Sequence, residues 1–420
     1  MIFRKINKKH LKILALILVI FLLGVGFGNF FNGEKSTQEV RLSPNKDFLN
    51  EVYGKVKENY WDNISDPQLI DLFRLASQKE GLILPARIEG KESLISQILN
   101  SNPDDKKIAN IVGTVLASLQ PTGRSGLYTE KQEVALKNTV SNINPEKDLY
   151  GDLGVTKGAS QEAVEKAFKE KEQNLKADGS PAAQEKLKKI TYAKEVLTED
   201  AQKQNYDAGG IEPTIFTEVI SPGILYMQFK KFSPTSYEEF IKAFESHKDT
   251  NLNSLIFDLR GNVGGAIDAT SYFLGHFLGK DQYAFDFYHK GGYEPFKTPT
   301  EKLPTISKFK QVVVLVDQNT QSSAEMMAAA LKRYHIGVVV GVPTKGWGTV
   351  ERVFPLDNQI SQDEKYSLFL VHSITLRDDN LPIEGRGVEP NINITSSSWQ
   401  DQLFSYFRNQ VLINTVKDVL

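Results

Sequence analysis

LIFDLRGNVGG, residues 255–265, is a continuous apolar run that breaks at Arg260 into a turn rich in glycine. Short apolar runs bounded by turn residues are strands buried on both faces, as in a parallel sheet. Gly261, Gly264 and Gly265 then fall at the carboxyl end of such a strand, where open α/β sheets bind ligands. Glycines let a backbone approach a ligand closely and present unobstructed N–H groups. A tight strand-to-helix turn would use the same residues, so the stretch gains meaning only from its neighbours.

Working outward, the pattern from about Pro213 alternates strands and helices. GILYMQFKKF (223–232), SLIFDL (254–259), QVVVLVD (311–317) and GVVVGV (337–342) read as strands, and SYEEFIKAFESH (236–247) and AEMMAAALKRY (324–334) as helices. That order predicts a mixed α/β core over residues 212–396 with a largely parallel sheet. The segment 397–420 reads as one or two amphipathic helices, free to pack on the core or on a second copy of the chain in a homo-oligomer.

In NTQSSAEMMAAAL, residues 319–331, Ser322 and Ser323 stand at the start of a helix that follows a buried strand. A serine there lies near free N–H groups and the positive end of the helix dipole, which favour the negative charge developed in acyl transfer. Ser322-x-x-Glu325 is also a capping box, which needs no catalysis.

The chain has 420 residues, enough for two or three domains, with a net charge of −2 and no cysteine. That balance gives no electrostatic reason to expect nucleic acid. Without cysteine there are no disulfides, thiolate nucleophiles or cysteine zinc sites. The six histidines lack metal-ligand spacing, so neither a metal nor another cofactor is expected.

Five basic residues, Arg4 to Lys12, precede the uncharged segment Ile13–Gly33. As a helix that segment would rise about 31 Å, one hydrocarbon core. It predicts a cytoplasmic tail (1–12), a transmembrane helix (13–33) and an extracytoplasmic remainder, by the positive-inside rule. A cleaved signal peptide is the alternative, although no clear A-x-A site follows.

Residues 34–145 read as helical, with Leu49, Val52, Val56 and Tyr60 on one stripe. Residues 146–209 change to a highly charged helical hairpin. Ser160 and Ser180-Pro181 supply its caps, and Ala183, Leu187, Ile190, Ala193 and Leu197 its apolar stripe. LGV, AS-x-E, A-F, A-x-EVL and YD, in this order, resemble a J domain. The His-Pro-Asp of a working J domain is replaced by Lys176-Ala177-Asp178, which makes the hairpin a spacer or substrate-contacting insert rather than a cochaperone.

The glycine turn and the serine segment also carry a resemblance. LIFDLRGNVGG resembles the DLRxNxGG signature of the carboxyl-terminal processing peptidases, and QSSAEMMAAALKRYHIGVVVGVPTKGWGT their SASxE…A…VVGxxTxGKG segment. GRGVEPNINI (385–394) is similar to their GxGIxPD, and VLASLQPTGRSGLYTEKQ to their pre-core helix. The resemblance implies a ClpP/crotonase-like core and a membrane-anchored serine endopeptidase acting on extracytoplasmic polypeptides. Ser322 matches the nucleophile, and the N–H of Ser323 with that of Gly264 or Gly265 the oxyanion hole. Glu325 and Thr344 fall in the supporting segments.

Two departures bear on activity. The family's base is a lysine 25 positions after the nucleophile, and here that position is Trp347. Glu351 stands where the family usually has a glutamine, and a carboxylate there would hold a nearby lysine protonated. If TKGWG is extended, Lys345 and Trp347 project on the same face, and Lys345 could reach Ser322 as base. The alternative is a pseudopeptidase that binds polypeptide as scaffold or adaptor. The J-like hairpin also stands where the family carries a PDZ domain, which captures carboxyl termini by strand addition.

Overall fold

The computed structural model describes residues 44–377 and 379–420. The basic tail and the apolar segment 13–33 lie outside them. Among the described residues no helix is long and apolar enough to cross a membrane.

The amino-terminal part begins with four helices, α1 (Pro44–Asn59), α2 (Asp66–Lys79), α3 (Lys91–Asn100) and α4 (Asp105–Ser118). Ser65 caps α2 through a full capping box with Gln68, and Pro67 lies in the first turn, where its missing N–H costs nothing. Strand β1 (Gly126–Thr129) and α5 (Glu130–Val140) follow.

The J-like unit consists of α6 (Leu149–Leu153), α7 (Gln161–Asp178), α8 (Pro181–Thr198) and α9 (Asp200–Gly209). Ser160 Oγ accepts the Ala163 N–H at 3.2 Å and Ser180 Oγ the Ala183 N–H at 3.1 Å, the caps that the sequence predicts. Leu149, Tyr150, Leu153, Val164, Ile190 and Leu197 form a separate small core. The unit enters and leaves side by side: Ile143 bridges Ile211 antiparallel, and the Glu212 N–H donates to Asn142 O at 3.1 Å.

The core strands are β2 (Ile215–Ser221), β3 (Ile224–Phe229), β4 (Ser254–Asp258), β5 (Tyr283–His289), β6 (Gly292–Lys297), β7 (Gln311–Val316), β8 (Val338–Gly341), β9 (Thr349–Pro355), β10 (Tyr366–Thr375) and β11 (Ile392–Asn393). One sheet runs β11-β8-β7-β4-β3-β2. All its pairs are parallel except β2 with β3. Helices α10 (Ser236–Glu245), α11 (Thr270–Leu278), α12 (Pro304–Ser307) and α13 (Ser323–Arg333) complete the units between strands. Phe229, Phe257, Phe273, Val314 and Met327 belong to the cluster that includes one face of this sheet. On the opposite side, Ile256, Val313 and Leu315 meet Leu403 and Leu412, from α14 (Trp399–Phe407) and α15 (Gln410–Val419).

A second sheet, order β1-β10-β5-β6 with β9 on β10, is not anticipated by the sequence reading. It alters the expected division at residue 145. Phe48, Val52, Phe73, Ile98 and Val112 of the helical part share one buried cluster with Leu368 and Leu370 of β10 and Leu356 of the loop after β9. The helices have no other sheet to cover, so this part and the core fold around common side chains. Leu370→Ala should therefore lower stability by about 2–5 kcal/mol. Urea unfolding of the full chain should still show helical and strand signals lost together, and two separated transitions would contradict the shared core.

Candidate active site

The glycine turn and the serine loop are laced together at the carboxyl edge of the parallel sheet. The Gly261 N–H donates to Asp317 Oδ1 at 2.9 Å, Thr320 Oγ1 to Leu259 O at 2.9 Å, and the Gln321 N–H to Asn262 O at 2.9 Å. A Cβ on Gly264 would lie 2.6 Å from Ser322 Cβ and 3.0 Å from Ser323 N; one on Gly265 would lie 2.0 Å from Phe232 O. Any side chain there would collide, so the two glycines admit the close approach.

Ser322 has φ 57° and ψ −125°, whereas the ordinary caps Ser65, Ser160 and Ser180 have φ −75°, −67° and −64°. A non-glycine residue held there is strained by roughly 1–3 kcal/mol. Such turns expose a serine hydroxyl at the edge of a sheet. The simple capping reading leaves this geometry unexplained.

The N–H groups of Ser323 and Gly265 take no protein acceptor among the described residues. They are two backbone donors left free beside Ser322. Gly264 is corrected as a donor: its N–H is taken by Asn262 Oδ1 at 2.8 Å. Asn262, fully buried, also donates through Nδ2 to Phe229 O at 2.6 Å. It shapes the turn, a role that its place in the quoted motif could have signalled.

Glu325 is fully buried and accepts four hydrogen bonds. Its Oε1 takes Thr344 Oγ1 at 2.5 Å and the Gly346 N–H at 2.7 Å; its Oε2 takes the Ser322 and Trp347 N–H groups, both at 2.8 Å. Burial pushes its carboxyl up, and the four donors oppose that. Because the Ser322 and Trp347 N–H groups share one oxygen, residue 347 sits beside Ser322.

Lys345 is not where the extended reading places it. Gly346 has φ 80°, which turns the chain between residues 345 and 347. Lys345 is exposed. Its N–H bonds Thr320 O at 2.9 Å, but its ammonium makes no hydrogen bond to Ser322. The proposed dyad is absent from this conformation.

Trp347 is held by its surroundings. Its Nε1–H donates to Glu351 Oε1 at 3.1 Å, and the Thr349 hydroxyl donates to the same oxygen at 2.5 Å. Burial raises the Glu351 carboxyl to about 7, with the two donors and the Arg124 charge opposing. Among the described residues no group of three or more His, Cys, Asp or Glu is placed to hold a metal.

With this geometry in view, residues 223–394 match the sequence profile of peptidase family S41, and residues 148–207 that of the DnaJ domain. Residues 223–394 thus carry the likeness to a peptidase family S41 core, and the carboxyl-terminal processing proteases are among the proteins similar to this chain. The carboxy-terminal processing protease CtpA of Bacillus subtilis is 22% identical over 404 residues, covering 92% of this chain and 77% of that protein. CtpB of the same organism is 30% identical over 171 residues, covering 40% of this chain and 33% of that one. The chain thus spans about three quarters of the first relative and a third of the second. The solved photosystem II D1 C-terminal processing protease has the same fold, with TM-score 0.52, 14% identity, and coverage of 84% of this chain and 94% of that one.

The S41 core acquires a pH dependence from Glu351. Its folded pKa lies above the unfolded value of 4.5, so between about 5 and 7 the folded state binds more protons. The stability it contributes is greatest in acid and is lost as pH rises through about 7. Glu351→Gln should therefore stabilise the chain more at pH 8 than at pH 5, measured by chemical denaturation at both; equal effects would contradict the assignment.

Proposed function

We propose that this chain is a membrane-anchored, extracytoplasmic polypeptide-binding protein that uses an S41 cleft without the family's lysine chemistry. Trp347 at the base position carries the reading: an indole accepts no proton, and its neighbours hold it beside Ser322. Serine is a poor nucleophile without an adjacent base. Segment 13–33 is the proposed anchor, and the J-like unit a spacer or substrate-contacting insert.

A second reading, endopeptidase action through Ser322, draws support from the strained serine and the two free N–H donors. It requires Lys345 to turn inward as base, attack of Ser322 Oγ on a peptide carbonyl, and return of the proton to the leaving amine. One lost oxyanion donor would then cost about 3–4 kcal/mol of transition-state stabilisation.

The test restores what is missing. The wild-type chain should bind an unfolded casein fragment and release no new peptides. Trp347→Lys with Glu351→Gln should gain cleavage, and adding Ser322→Ala should abolish it. Cleavage by the wild type that is lost in both Ser322→Ala and Lys345→Ala would overturn the non-hydrolytic reading in favour of the endopeptidase.

A further inference from the structure

The segment that leads from α4 into β1 delivers one side chain into the S41 site. Its backbone is fixed on the helical part: Tyr60 Oη and Trp61 Nε1 both donate to Gln120 O, at 2.5 and 2.6 Å. The Gly123 N–H donates to Ala117 O at 2.9 Å and the Arg124 N–H to Pro121 O at 3.2 Å. Arg124 then reaches across. Its guanidinium carbon lies 3.4 Å from the centre of the Trp347 ring, and its Nε and Nη2 both donate to Glu384 Oε1, at 3.2 and 3.1 Å. The ion pair is largely enclosed, with side chains 18% and 16% exposed. The other Glu384 oxygen accepts the Gly348 N–H at 2.9 Å.

Loop 344–348 is therefore gripped twice. Glu325 holds Thr344, Gly346 and Trp347 from the side of Ser322, and Glu384 holds Gly348 from the other side. Arg124 is the only one of these clamps that comes from outside the S41 core. A planar guanidinium can stack on an indole and donate in the plane of a carboxylate at once, which an ammonium cannot.

We propose that Arg124 is a positioning residue of the peptide site, fixing Trp347 across the base slot and making the state of that slot depend on the helical part of the chain. This rests on the reading that loop 344–348 borders the peptide cleft. The groups facing Glu351 are the Trp347 Nε1–H and the Thr349 hydroxyl, which contact it, with the Arg124 charge opposing its rise and Tyr128 from β1 nearby, whose hydroxyl is pushed up by burial and by the Glu351 charge; Glu384 compensates Arg124. Arg124 favours the ionised Glu351 carboxylate, so its removal should raise the titration midpoint of Glu351, and the indole that touches both reports the change.

The experiment is a pH titration of the full chain carrying 5-fluorotryptophan, followed by fluorine NMR. Its three tryptophans, Trp61, Trp347 and Trp399, are resolved by assigning Trp347 through Trp347→Phe. The Trp347 resonance of the parent should titrate near neutral pH. In Arg124→Ala it should move and its midpoint rise, while the Trp399 resonance on the far side of the sheet stays in place. Arg124→Lys should fail to restore the parent shift. An unchanged Trp347 resonance and midpoint in a folded Arg124→Ala chain would overturn the proposal. If Trp399 shows that this variant has unfolded, Arg124→Gln is judged by the same two criteria. The readout is the indole, so its outcome is separate from whether casein is bound or cut.

Discussion

A single buried carboxylate organises the site. Glu325 stands one helical turn into α13 and accepts from Ser322, Thr344, Gly346 and Trp347. An ionised carboxylate has acceptor capacity for about four donors and none to give. All of that capacity is used. The backbone strain at Ser322 persists because its N–H is anchored there, and loop 344–348 can come no closer to the nucleophile position than this shared anchor allows. An uncharged residue at 325 would leave several enclosed N–H and O–H groups without an acceptor, which is why the anchor and the loop form one unit.

The turn on the other side of Ser322 is held by a comparable economy of groups. Asp258 is nearly inaccessible and accepts from Tyr226 Oη and from Arg260, and Arg260 Nη2 also donates to Val419 O at 2.8 Å. The charged residues of DLR thus fasten the strand end to the carboxyl-terminal helix. The approach of the turn to Ser322 depends on the glycines and Asn262 that follow. One short motif serves both purposes, structural in its first half and site-forming in its second.

The parallel sheet was legible because β4, β7 and β8 are short apolar runs and β3 a partly alternating one, set between amphipathic helices, and caps at Ser160 and Ser180 marked the J-like hairpin. The second sheet was not read, although HKGGYE at 289–294 is a hairpin signal between β5 and β6. Its central strand β10 pairs with β9 just before it but also with β1 and β5 from distant parts of the chain, and such long-range pairing leaves no local trace. At the site, the approach of the glycine turn to Ser322 was anticipated from motif order. The turn at Gly346 was not, because a glycine within a short polar run permits extended and left-handed backbone alike, and only Glu325 selects between them. Arg124 and Glu384 were missed for a related reason: residues 260 positions apart in sequence carry no joint pattern until the fold brings them together.

The single antiparallel bridge between Ile143 and Ile211 bears on the history of this architecture. Where the J-like unit is attached, the two chain crossings are one inter-strand spacing apart, about 4.8 Å. Any compact module whose own ends lie close together could be mounted on that socket without displacing a core residue, since closure entropy grows only slowly with the length inserted. Exchange of one inserted module for another is then a small structural step, taken while the sheet beneath stays the same.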